Sequence, residues 1–83
     1  MDAPARTPRQ IGNLIRRARK QRGWSQSQLA QRVGVRQGTI SLIETGNPAT
    51  KLETLLAILA ALDLELQVAS RLKGSRAGIE DLF

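Results

Sequence analysis

The same four-residue signature opens three segments of this chain: Thr7-Pro8-Arg9-Gln10, Ser25-Gln26-Ser27-Gln28 and Thr50-Lys51-Leu52-Glu53. In each, a hydroxyl can accept from the amide three residues on, while the Gln or Glu there reaches back to the first residue's own amide. Such capping boxes satisfy donors that a helix start otherwise leaves orphaned. Pro8 falls at a first helical position, where its missing N–H costs nothing. Helix starts at this density predict a small all-helical domain.

Apolar spacing and glycine stops complete the pattern. Ile11, Leu14, Ile15 and Ala18 share one helical face, and Gly23 ends that first segment. A second helix is predicted from Ser25 to about Val33, with Leu29, Ala30 and Val33 inward and Gly34 as its stop. A third begins near Arg36 and ends before Gly46, with Ile40 and Ile43 inward; its start is the weakest, since neither Val35 nor Arg36 is a good N-cap. Gly46-Asn47-Pro48 breaks the chain. The fourth, about Lys51 to Leu62, is strongly apolar through Leu52, Leu55, Leu56, Ile58, Leu59 and Leu62.

The period then changes. Leu64-Glu65-Leu66-Gln67-Val68 alternates apolar and polar residues, which is the pattern of a strand. A lone strand leaves its backbone groups unsatisfied. Two readings stand: the segment continues the fourth helix, or it pairs with its copy in a second subunit. The second reading is favoured and makes Leu62, Leu64, Leu66 and Val68 the expected dimer interface. The predicted organisation is a four-helix unit over 8–62, a dimerisation strand over 63–70 and a flexible tail over 71–83. The tail ends in Leu82-Phe83, either plain disorder or an apolar docking end for a partner. Residues 1–7 form either a groove-reaching arm or a disordered leader.

Composition narrows the functional classes. Eighty-three residues bury a modest core, so added stability from dimerisation is expected. The chain has neither histidine nor cysteine. It therefore lacks the usual general base, the commonest metal ligand and any disulfide, which argues against an enzyme and against a metal or cofactor site. No apolar run approaches a membrane span, and the first ten residues lack the apolar stretch of a secretion signal. The expectation is a soluble cytoplasmic protein.

The net charge of +6 is concentrated early: nine Arg or Lys lie between Arg6 and Arg36, with no acidic residue among them. A solvated helix face is the plain reading, but surface charge usually mixes signs. A polyanionic partner accounts for the bias better.

Residues 26–45, QSQLAQRVGVRQGTISLIET, hold the requirements of a helix-turn-helix in register. Ala30 is small where the helices approach, Gly34 tolerates the turn, and Leu29, Val35, Ile40 and Ile43 anchor the second helix. The third helix then presents Arg36, Gln37, Gly38 and Ser41 to base edges in the major groove of double-stranded DNA. Arg can pair bidentately with guanine and Gln with adenine. Gly38 sits where a helix resists glycine, so a local reason for it is expected. Leu42 meets a thymine methyl or packs sideways. Gln26 and Ser27, at a helix start with free amides, suit a phosphate oxygen; Arg22, Asn47 and Lys51 are expected to flank the same backbone.

The run GWSQSQLAQRVGVRQGTISLIETG, followed by KLETLLAILAAL, resembles the Xre/lambdoid-repressor helix-turn-helix family over about residues 11–62. The resemblance implies that Gln26 braces Gln37 while touching phosphate. It also implies a partly buried ion pair between Arg19 and Glu44. Within that family, the GWSQSQLA opening, the RQGTIS recognition helix and the LDLELQV strand look most like HipB-type antitoxins. Those are implied to dimerise through an intersubunit β-lid, bind a palindromic operator, repress their own operon and bind a HipA-type kinase toxin. The chain departs from the pattern at Gly38, where a slightly larger residue is usual, and in ending on Phe rather than Trp.

Two other classes stay open at this point. One is a stand-alone phage or metabolic repressor without a protein partner. The other is an interaction module or basic amphipathic peptide at membranes, against which stand the further apolar helix faces that need covering.

Overall fold

Two of the three hydroxyl caps form. In the computed structural model, which describes residues 4–47 and 49–70, helix α1 spans Pro8–Gln21 and α2 spans Gln26–Val33. Thr7 Oγ1 accepts from the Gln10 amide at 3.1 Å, and Gln10 Oε1 accepts from the Thr7 amide at 3.1 Å. Ser25 and Gln28 repeat the exchange at 3.1 and 2.7 Å. Helix α3 spans Gln37–Glu44 and α4 spans Leu52–Ala61.

The third box does not form. The N-cap of α4 is Lys51, with no side-chain capping bond. Asn47 Oδ1 instead accepts from the Ala49 amide at 2.8 Å, and the Thr50 hydroxyl donates back to the Asn47 carbonyl. This local turn occupies Thr50 one residue before the helix can begin. Helix α3 also starts without a side-chain cap, at Arg36.

Each helix places one side chain wholly out of solvent: Ile15, Leu29, Ile40 and Ile58. Burying a residue of this size stabilises by ~1.5–3 kcal/mol. Ala18, Ala30, Ile43, Leu59 and Leu62 complete the core, with Ile11, Trp24, Val33, Val35, Leu55 and Leu64 packed at its edge. Helix α3 packs against α1 and α2, and α2 against α4. The apolar excess of α4 is not all covered, for Leu52 and Leu56 remain exposed.

Gly12 sets how close α1 and α3 come. A Cβ built there would lie 2.7 Å from the Glu44 carbonyl oxygen and still nearer that of Ile43. The α2–α3 turn depends on Gly34, held at φ +84, with its amide bonded to the Ala30 carbonyl at 2.8 Å. That left-handed conformation is one side-chain-bearing residues adopt at a cost.

Helix α4 ends on the same device with a different residue. Asp63 is the one non-glycine residue at positive φ (+56) among those described. The Asp63 amide donates to the Ala60 carbonyl at 3.1 Å and that of Leu64 to the Leu59 carbonyl at 2.7 Å, the double bond of a Schellman end. Residues 64–70 therefore do not continue α4, which removes one of the two readings of that segment. They form no strand within the single chain either. Leu64 covers part of the core, Leu66 is about half exposed and Val68 fully so. Leu62, expected at a dimer interface, is a core residue at 2% exposure and is corrected accordingly. Its place as the α4 C-cap turns it inward. Leu82 and Phe83 lie outside the described residues.

Candidate nucleic-acid interface

At the start of α3 the structure builds a line of polar contacts from the surface into the core. Gln37, the first residue of the helix, is exposed, and its Nε2 donates to Gln26 Oε1 at 2.6 Å. Gln26, the first residue of α2, donates through its own Nε2 to Glu44 Oε1 at 3.2 Å. Glu44 also accepts from Arg19 twice, at 2.6 Å from Nε and 3.0 Å from Nη2. Arg19 Nη1 donates to the Trp24 carbonyl at 2.7 Å. Four side chains from three helices are thereby joined.

The Arg19–Glu44 pair is buried, with side-chain exposures of 8% and 3%. Its geometry is a two-pronged fork, the strongest form of such a contact. The hydrogen bond that Arg19 donates to Glu44 holds its guanidinium above its ordinary pKa, and the carboxylate's charge adds to this against the opposing effect of burial. The pair ties α1 to the C-terminal turn of α3, so the recognition helix is clamped at one end by charge and along its side by Ile40 and Ile43.

Arg36 and Gly38 are exposed beside Gln37, and Ser41 is half-buried. A Cβ on Gly38 would meet nothing within 4 Å, so nothing inside the described chain requires glycine there. Gly38→Ala is therefore expected to raise stability by up to ~1 kcal/mol through helix propensity alone. An unchanged or lowered denaturation midpoint would contradict that account. Leu42 is 55% exposed and does not pack sideways into the core. With Thr39, Asn47, Thr50 and Lys51 it lines one groove between α3 and the start of α4. Two of the residues expected at phosphate, Asn47 and Lys51, thus share a surface with the recognition helix. Ser27 is exposed on the first turn of α2, where the capping box leaves the amides of Gln26 and Ser27 without a side-chain partner.

Arg22, expected to flank phosphate, has partners within the chain: its Nη2 donates to the Leu62 carbonyl at 3.0 Å and pairs with Asp63 at 2.9 Å. The attraction is physical, since the end of α4 carries unpaired carbonyls and partial negative charge. Arg22 and Arg32 also lie over the Trp24 ring, at 5.3 and 4.1 Å from its centre. The sequence reading missed Trp24, Gly12, Asp63 and the bond between Gln26 and Glu44. A glycine inside the apolar face of the first helix was the available signal for Gly12. Among the described residues, no helix is long and apolar enough to cross a membrane.

Comparison with known proteins agrees with this geometry. The family described as helix-turn-helix matches residues 15–68. Antitoxin HipB of Escherichia coli K12 is 35% identical over 74 residues, which is 89% of this chain and 84% of that protein. Antitoxin HipB of strain CFT073 matches at the same identity over 79% of its length. Among solved structures, a HipB–O2 20mer complex superposes with a TM-score of 0.79 at 32% identity, covering 87% of this chain and 100% of the other. A HipA–HipB–O2–O3 complex gives 0.78 at 34% identity over 86% and 100%. This chain is a member of the helix-turn-helix family, and within it of the group formed by the HipB antitoxins.

Proposed function

We propose that this chain is a homodimeric operator-binding repressor and the antitoxin partner of a HipA-type kinase toxin. The observation that carries DNA reading is the exposed Gln37, braced at the start of α3 by Gln26. The solved HipB complexes with O2 and with HipA, O2 and O3 support the same classes of partner here. Arg36, Gln37, Gly38 and Ser41 meet base edges, while Gln26 and Ser27 meet phosphate and Asn47 and Lys51 flank it. Residues 8–62 are the DNA-binding unit and 63–70 the dimerisation strand. The tail over 71–83, with Leu82 and Phe83, is offered to the toxin.

Gln37→Ala is expected to cost ~1–3 kcal/mol on a duplex selected by the wild-type chain and to leave random-duplex binding unchanged. Equal losses on both would remove Gln37 from the readers. For the dimer, Leu64, Leu66 and Val68 pair with their copies, and Leu66→Asp is expected to yield monomers in sedimentation. Operator binding then weakens, because two half-sites about 34 Å apart must be held together. A dimer that survives the change contradicts strand pairing. Affinity capture from the native host, with the full chain and with one truncated after Arg71, tests the toxin. Recovery of a kinase-like protein supports the antitoxin reading. Recovery of operator DNA alone leaves a stand-alone repressor.

A further inference from the structure

We propose that Glu44, acting through Gln26, sets which face of the Gln37 carboxamide is turned outward, and so selects adenine over guanine at the base Gln37 reads. This rests on the DNA-reading role of Gln37 proposed above. The argument is one of donors and acceptors. A carboxylate paired with a guanidinium can only accept. Glu44 is held in that state by the fork from Arg19. Gln26 must therefore turn its NH2 towards Glu44, as it does at 3.2 Å, which leaves its oxygen facing Gln37. Gln37 must in turn donate to that oxygen. Its remaining polar edge is one C=O and one N–H.

That edge matches adenine, which offers an N6 donor and an N7 acceptor in the major groove. Were the relay reversed, Gln37 would turn its oxygen inward and present two N–H donors. Those would match O6 and N7 of guanine. The burial of Glu44 keeps its carboxylate from turning to bulk water in place of Gln26. Glu44 and Gln26 are thus positioning residues for specificity, although Glu44 is buried and the base is outside the protein. An identical Gln37 on a chain without this carboxylate would lose the bias.

The test uses the full chain and a duplex selected by it from a randomised pool. The position read by Gln37 is the one whose preference disappears in Gln37→Ala. Two variants then end the acceptor-only character of this position: Glu44→Gln, which can present NH2 to Gln26, and the double change Arg19→Met with Glu44→Leu, which leaves no buried charge unpaired. Helical circular dichroism and random-duplex affinity report that each is folded. The expected result is an adenine-over-guanine ratio on the order of tenfold in the wild type, collapsing towards one in both variants at that position alone. A purely structural role would lower affinity for every sequence and leave the ratio intact. Folded variants that keep the adenine preference overturn the proposal while DNA reading by Gln37 stands. A wild-type preference for guanine at that position also overturns it. Failure of the wild type to select any sequence overturns the reading on which it rests.

Discussion

Gly12→Ala is expected to destabilise the domain by about 3 kcal/mol or more, at or beyond the upper end of the usual cost of overpacking. The added methyl would meet the backbone of Ile43 and Glu44, with the Glu44 carbonyl carbon at 2.9 Å. Backbone cannot rotate away as a flexible side chain can, so α1 and α3 must separate. Their separation would also stretch the Arg19–Glu44 fork and displace the helix that carries Gln37. Thermal or denaturant unfolding measures the loss, and selected-duplex binding should weaken with it. Gly38→Ala is the matched control, the same chemical change at a helical site with open space around it. Opposite signs for the two would assign the effect to interhelix contact. A harmless Gly12→Ala would mean that the close approach of α1 and α3 is not maintained in solution.

Removing one member of the buried ion pair is the other large effect. Glu44→Ala is expected to cost ~3–5 kcal/mol, the usual penalty for leaving a buried charge unpaired. Arg19 would keep only the Trp24 carbonyl among its present partners. Replacing both members with apolar residues should recover most of that loss, because no uncompensated charge is then buried. A denaturation series on the wild type, the single and the double variant measures this. If Glu44→Ala unfolds at the same denaturant concentration as wild type, the pair is not buried in solution. The double variant separates stability from specificity: a stable domain with a relaxed base preference is the combined expectation.

Much of the fold was legible because its signals are local. Thr7 and Ser25 cap helices through residues three positions away, and Gly34 reports a backbone conformation at its own site. The Thr50 box failed although its residues match, since Asn47 and the turn after it compete for the same atoms. The pairing of Arg19 with Glu44 came only from family resemblance; the partners stand 25 residues apart. The bond from Arg22 to the end of α4 was illegible for a related reason, since only the fold brings that helix end, 40 residues away, to it.

By itself the sequence determined the four helices and the turn between the second and third, since periodicity, caps and turn glycines act over a few residues. Only the tertiary structure decided that Gly12 spaces α1 from α3, that Leu62 belongs to the core and that Arg22 closes the end of α4. It also decided that a buried carboxylate stands behind the exposed Gln37. Those facts depend on distances between segments remote in sequence, and such distances exist only once the core has brought the helices together.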